Sequence, residues 1–257
     1  MSLSFISDEN LKNHIAETIK TYGEKLKPYD VKKFNENIID PIKLIFDKNI
    51  YSSSWEEIIN SEILRQRDKS NNNSIGYFHQ KIFQYIAGCT VPKSGWDVIF
   101  QKAGGIEIED CGKVGKIFVE MKNKHNTMNS AASSKTYMKM QGKLLRDDDC
   151  ACFLVEVIAK KSQNIAWVVS LDGQQQKHRR IRRVSIDEFY KIVTGNETSF
   201  YQLCMILPKM IEEVISNFDD LAIPRDTVFE ELRTNFSEKS FELALYMLGF
   251  RGYIGFT

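Results

Sequence analysis

Near residue 90 the chain changes texture, and few architectures accommodate the segments beyond that point. Asp97–Phe100 is short and rich in β-branched and aromatic residues, Ile106–Glu109 alternates strictly, and Ile117–Lys122 alternates again. Each reads as a strand. Gly104-Gly105 reads as a turn after the first, and Gly112 and Gly115 bracket a turn before the third. A helix over about Ser130–Leu145 then precedes two further strands, Cys152–Ile158 and Ile165–Val169. A helical crossover among strands calls for a mixed sheet with helices packed on it, an α/β (α+β) architecture.

The flanks read as helical. Leu11, Ile15 and Ile19 recur every four positions and mark one apolar helix face. Asp40-Pro41 suits a helix start, with Ile42, Leu44, Ile45 and Phe46 behind it. Ser54-Trp55-Glu56-Glu57 has the form of a capping box opening a helix through Ile58, Ile59 and Ile63. Asn71–Ser74 reads as a loop, after which Ile75–Ala87 is helical and Gly88 ends it. Past the sheet, Ser185–Glu188 is a second capping-box pattern, and Ser237–Leu248 reads as a helix stopped by Gly249. There is no internal repeat. The expectation is a single domain over residues 1–257: a helical region to residue 90, a sheet core over 91–170, and a basic loop with helices over 171–257.

Composition removes several alternatives. Lys+Arg 35 against Asp+Glu 34 leaves the chain almost neutral, so any surface for a polyanion must come from local clustering. Cys89, Cys111, Cys150, Cys152 and Cys204 are odd in number and irregular in spacing. They fit reduced thiols better than a zinc frame. No run approaches the ~20 apolar residues of a membrane span, and Met1–Phe5 lacks the basic start of a signal peptide. A soluble cytoplasmic protein is expected, with no membrane partner.

The chemistry-bearing residues sit on the strand Ile117–Lys122. With period two, Glu120 and Lys122 project from one side, while Ile117, Val119 and Met121 take the other and face a core. If this strand pairs with the one that Asp97 begins, Asp97 and Glu120 converge at one end of the sheet. Two carboxylates and the carbonyl of Met121 are hard oxygen donors of the kind that hold Mg²⁺. A magnesium ion so placed polarises a phosphodiester and activates water, with Lys122 steadying the charge that gathers on the phosphate. An acid-x-Lys triplet is a weak signal alone. Asp30-Val31-Lys32 is another, without strand context, and a solvated ion pair is the plain alternative for Glu120 and Lys122.

The sequence after the triplet is more specific. Lys122-Asn123-Lys124-His125-Asn126-Thr127-Met128-Asn129-Ser130 resembles the Type II restriction endonucleases of the SinI group, within the PD-(D/E)xK superfamily. Ile75–Gln80 and Gly95-Trp96-Asp97 are similar to that group as well. The resemblance implies a mixed sheet flanked by helices, Mg²⁺ dependence, a homodimer, and cutting of double-stranded DNA at short palindromic GG…CC sites. It also implies a cognate methyltransferase that shares the site. On it, Asp97 takes the first acidic position, Glu120 the second and Lys122 the lysine. Trp96 stands where the superfamily pattern has proline. His79 and Gln80, on the preceding helix, become accessory candidates near the metal.

The same placement suggests candidates for DNA contact. Asn123, Lys124, His125, Asn126, Asn129 and Ser130 form a donor-rich run leaving the catalytic strand, suited to phosphate and base-edge contacts. The alternative is an ordinary polar loop capping the next helix. Arg179, Arg180, Arg182 and Arg183 lie in the densest positive run, and Arg binds guanine O6 and N7 bidentately. The alternative there is a solvated loop tip. Two other roles stay open at this point: a repair or recombination nuclease acting by DNA structure, and a non-catalytic DNA-binding protein of the same fold.

Overall fold

The structure is a computed structural model that describes residues 3–25, 27–218, 225–235 and 240–250. Its first helix, α1 (Asp8–Lys25), buries Leu11 and Ile15 as their spacing predicts. A short α2 (Val31–Glu36) is capped by Asp30. In α3 (Pro41–Ile50) the Asp40 carboxylate accepts the N–H groups of Ile42 and Lys43, and Pro41 opens the first turn. Of its apolar residues Leu44 is buried, whereas Ile42 and Phe46 are exposed.

The capping box forms: Ser54 N donates to Glu57 Oε2 at 2.8 Å, and Glu57 N to Ser54 Oγ at 3.2 Å. The helix it opens, α4 (Trp55–Lys81), runs without a break through Asn71–Ser74, where the sequence suggests a loop. The polar side chains there bond back along the helix instead of diverting the backbone. Asn72 Nδ2 donates to Asp68 Oδ2 at 2.8 Å, and Ser74 Oγ to the Ser70 carbonyl at 3.3 Å. A 3₁₀ turn over Ile82–Tyr85 comes next, and Gly88 turns the chain with φ +78.

Gly88 delivers the chain to a six-stranded mixed sheet in the order β1-β2-β3-β4-β6-β5. The strands are β1 (Cys89–Thr90), β2 (Val98–Ile108), β3 (Gly112–Lys124), β4 (Cys150–Ile158), β5 (Asn164–Leu171) and β6 (Gln174–Ser185), with α5 (Ser130–Leu144) crossing from β3 to β4. β3, β4 and β6 run parallel, and the other neighbours are antiparallel.

Three local expectations fail. Gly104-Gly105 is not a turn. It lies inside β2, where the register shifts between Gln101 and Ile106 and both glycines have positive φ. Double glycine signals that backbone state, which bulges share with turns. Gly112 and Gly115 do not bracket a turn either, since both lie within β3. The reversal is at Glu109–Cys111, with Asp110 at φ 61. The basic run expected as a loop is the body of β6. Ile181, Arg182 and Val184 are buried there.

Helices cover both faces of the sheet. On one, Tyr137 and Met140 of α5 pack on Phe118, Cys152, Leu154, Trp167 and Ile181. On the other, Phe153 meets Phe189 of α6 (Ile186–Thr194), which also meets Phe83 at 4.9 Å. Each fully buried aromatic contributes about 1.5–3 kcal/mol. The α6 start is where the sequence puts it, with Ser185 at the N-cap, but the Ser185 side chain makes no capping bond. Its hydroxyl accepts Gln163 N at 2.9 Å and so ties β6 to the lead into β5. α7 (Ser199–Ile215) completes this part of the chain.

These elements belong to one of two compact units, made of the stretch up to Thr18 and Ile75–Asn217. The other comprises Ile19–Ser74 and the chain from Phe218. Its core joins Phe34, Ile59 and Ile63 to Val228 and Leu232 of α8 (Val228–Asn235) and Leu245 of α9 (Phe241–Gly249). Arg67 grips the Asp226 carboxylate through both terminal nitrogens, at 2.7 and 2.6 Å. Of the expected helix Ser237–Leu248, Ser237, Glu238 and Lys239 lie outside the described residues; Ser240 caps α9, which reaches Gly249. Among the described residues no helix is long and apolar enough to cross a membrane. All five cysteines are free, with Cys111, Cys150 and Cys152 buried.

Candidate active site

The antiparallel register of β2 and β3 sets Val98 opposite Val119, which brings the preceding Asp97 beside Glu120. Two backbone hydrogen bonds hold it there. Asp97 N donates to the Val119 carbonyl at 3.0 Å, and Met121 N donates to Asp97 Oδ2 at 2.7 Å. The Met121 side chain is buried on the opposite face with Ile117 and Val119. Glu120 and Lys122 share the α5 face, both half-buried, as the alternation predicts. Lys122 has no ion-pair partner among the described residues.

Asp97 and Glu120 both line a cleft of about 780 Å³, together with Gly95, Trp96, Gln80 and Glu17. Two of the segments that carry the family resemblance therefore meet at the cleft, Gln80 at the end of α4 and Gly95–Asp97 before β2, and they meet Glu120 on β3, two residues ahead of the third. A Cβ on Gly76 would lie 3.3 Å from Asn123 Nδ2, so the end of α4 passes close to the end of β3.

Glu120 is engaged by a residue that sequence reasoning missed. Lys139, on α5, pairs its ammonium with Glu120 Oε1 and also donates to the Gly95 carbonyl. Its nitrogen sits over the Trp96 ring, 4.2 Å from the centroid. The available signal was the spacing of Lys135, Lys139 and Lys143, which places three ammoniums along one helix face. Glu17, from α1, was missed too, and no motif marks it.

The other candidates separate. Gln80 lines the cleft, but His79 is not among its lining residues. Burial, aided by the nearby His14, pushes the His79 imidazole down to about 4. In the run after β3, His125 N donates to the Ile158 carbonyl at 3.0 Å, and Asn129 Oδ1 caps α5 by accepting Ala132 N at 2.9 Å. Lys124, Asn126, Asn129 and Ser130 are exposed, and Asn123 and His125 half-buried. On β6, Arg179 is exposed, and Arg180 donates to the Asp148 carbonyl. Arg183 binds Glu156 Oε1 through Nε at 2.9 Å and Nη2 at 2.6 Å, and Nη2 also reaches the His125 carbonyl at 2.9 Å. Arg182 is 1% exposed and spends its guanidinium on the side chain and backbone of Asn164.

A mixed sheet with helices on both faces, and paired carboxylates at a cleft beside its central antiparallel strands, defines a protein of the restriction-endonuclease fold class. The chain belongs to the Eco47II restriction endonuclease family, whose family model matches residues 3–216. It is similar to the Type II restriction enzyme Sau96I of Staphylococcus aureus, with 34% identity over 221 residues, 83% of this chain and 81% of that one. It is also similar to the Type II restriction enzyme Eco47II of Escherichia coli, with 31% identity over 223 residues, 83% and 88% of the two chains. The SinI-type resemblance thus led to the right class: a Type II restriction endonuclease, which binds and cleaves double-stranded DNA.

The family implies a divalent metal ion. Among the described residues no three His, Cys, Asp or Glu side chains cluster to hold one. The donor set still fits a hard cation bound by few protein groups, because such ions keep several waters and use one or two carboxylates plus substrate phosphate. Asp97 and Glu120 supply that number, and an ammonium already lies against Glu120.

Proposed function

We propose that this chain is a Mg²⁺-dependent endonuclease that cuts double-stranded DNA at a short palindromic GG…CC-type site, with Asp97, Glu120 and Lys122 as its catalytic residues. The observation that carries the reading is the shared cleft of Asp97 and Glu120, braced by the Met121 amide. Asp97, Glu120 and the Met121 carbonyl would hold the ion. When bound, it supplies charge to polarise the scissile phosphate and lower the pKa of a water. Lys122, with no carboxylate partner among the described residues, is available to donate to the phosphate as charge builds on it. Glu17 and Gln80 are among the other residues lining the cleft, where they can orient water.

The polar run Asn123–Ser130, the exposed Arg179 and the half-buried Arg180 and Arg183 of β6 are read as the DNA-contacting surface, with Arg182 excepted because its guanidinium is buried. A palindromic site is matched by a two-fold homodimer in which each copy cuts one strand. We read residues 1–257 as a single nuclease domain built from both compact units. It acts in the cytoplasm beside a methyltransferase that protects the same site.

Digestion of a sequenced plasmid with Mg²⁺, followed by end sequencing of the fragments, tests the activity. Discrete ends within GG…CC sites are expected. Smeared products, or cutting only at junctions, would point to a nuclease that acts on DNA structure. Glu120→Ala should abolish cleavage without unfolding the protein, and full activity in that variant would remove Glu120 from the site.

A further inference from the structure

Three contacts converge on one ammonium beside the proposed metal position. Lys139 binds the Glu120 carboxylate, donates to the Gly95 carbonyl and lies over the Trp96 ring. A carboxylate and a carbonyl are the oxygen donors that a hard divalent cation selects, and the face of an indole attracts any positive charge. This cradle is therefore chosen for charge, and a tethered lysine fills it.

Two features make that occupancy informative. Asp97 and Glu120 line one cleft, and two carboxylates placed there favour a cation between or against them. Asp97 has a backbone N–H as partner, whereas Glu120 has only the Lys139 ammonium among its described contacts. The second feature is freedom of movement. The neighbours Tyr137 and Met140 are fully buried and fix the helix, but the Lys139 side chain is 38% exposed. Its flexible stem can swing the ammonium outward while α5 stays in place.

Resting on the metal site of the proposed function, we propose that Lys139 is an internal counter-cation. It neutralises Glu120 while no metal is bound, and its ammonium withdraws from Glu120 when a divalent ion loads. The two lysines of the site then divide the work: Lys122, without an ion-pair partner among the described residues, is left for the phosphate, and Lys139 trades places with the ion. Lys139 is a positioning residue in this scheme, because it acts through Glu120. It also sets a threshold on metal affinity in the absence of DNA.

Mn²⁺ binding to the full-length protein without DNA, measured by water-proton relaxation, tests the exchange. Wild type is compared with Lys139→Met, Lys139→Arg, Lys143→Met and Glu120→Gln. Removing the competitor should tighten Mn²⁺ binding about tenfold or more, because a hydrogen bond to a charged group no longer has to be broken. Lys139→Arg should stay near wild type. Lys143→Met controls for general charge removal on the same helix face, since Lys143 pairs with Asp147 at 2.8 Å and not with Glu120. Its gain should be small. If Lys139→Met binds Mn²⁺ no better than wild type, or gains only as much as Lys143→Met, the exchange is overturned. Glu120→Gln should lose the tight site. If it does not, the metal-site reading fails on its own, whatever Lys139 does. Should Lys139→Met fold poorly by circular dichroism, Lys139→Gln carries the same comparison.

Discussion

The Asp97 carboxylate accepts the main-chain N–H of Met121 at 2.7 Å, which fastens the acid at the head of β2 to the peptide immediately after Glu120. Two properties of Asp97 are thereby separable. Its charge serves a cation, and its oxygen serves the backbone. Asp97→Asn keeps an oxygen for Met121 N but removes the charge, so cleavage should fall below detection while the melting temperature holds. Asp97→Ala removes both, and the orphaned N–H should cost about 1–3 kcal/mol in addition. Urea unfolding beside a plasmid-nicking assay separates the two effects. Equal stability of the Asn and Ala variants would show that the brace carries no weight.

A second relationship lies on the same sheet face. Glu156 is 1% exposed and stands in register with Lys122, and it is held by Arg183, which also binds the His125 carbonyl. The pair, with Glu156 buried and Arg183 half-buried, thus anchors the start of the polar run beyond the catalytic strand. Arg183→Ala leaves a buried carboxylate without its partner; breaking a fully buried pair costs about 3–5 kcal/mol, and the 30% exposure of the Arg183 side chain places this change at or below the lower end. We expect a large drop in denaturation midpoint, together with faster amide exchange at His125 and Asn126. Replacing both residues by apolar ones of similar size should recover much of the stability but not the slow exchange. Unchanged exchange in Arg183→Ala would mean that the loop is held by His125 N and Ile158 alone.

Much of this site was legible in the sequence, for a physical reason. A half-buried strand must alternate, so Ile117–Lys122 announces which side Glu120 and Lys122 take, and burial agrees with it. What the sequence concealed are contacts between distant segments. Nothing local says that Lys139 reaches Glu120, or that α1 brings Glu17 to the cleft. The basic run was hidden in another way. Strand patterns are recognised by alternating hydrophobicity, whereas β6 reaches its core through Ile181 and Val184 and satisfies Arg182 internally with Asn164. The Asn71–Ser74 misreading has the same root. Loop-forming side chains also bond along a helix when the turns on either side are already formed.

Acid should weaken the fold through its histidines. Burial lowers His79 to about 4, and it lowers His14 as well, against the raising effect of its bond to the Phe78 carbonyl. In the unfolded chain both take up a proton near the ordinary value of 6.5. Below that pH the unfolded state binds more protons than the folded one, so stability declines as pH falls from about 6.5 towards 4. Above 6.5 the two histidines should contribute no pH dependence. Melting temperatures across this range in wild type and His79→Phe provide the check. The variant should show a shallower decline, and an identical slope would mean that His79 titrates normally.

The arginines of β6 make the last prediction, because one strand holds two kinds. Arg179 is exposed, with Lys177 likewise exposed two residues before it, whereas Arg182 is buried against Asn164. If the exposed pair meets the phosphate backbone, Arg179→Ala and Lys177→Ala should each weaken DNA binding across all sequences. Each should also reduce the slope of log affinity against log salt by about 1. Neither should shift the melting temperature, because exposed charges add little to stability. Arg182→Met should behave the opposite way. It strips Asn164 of its buried partner and loosens the β5–β6 pairing, so stability falls while the salt slope of the surviving folded protein is unchanged. Filter binding at several salt concentrations, with Ca²⁺ replacing Mg²⁺ to suppress cutting, distinguishes the groups. A salt slope altered by Arg182→Met and untouched by Arg179→Ala would invert the assignment and move the DNA to another face of the sheet.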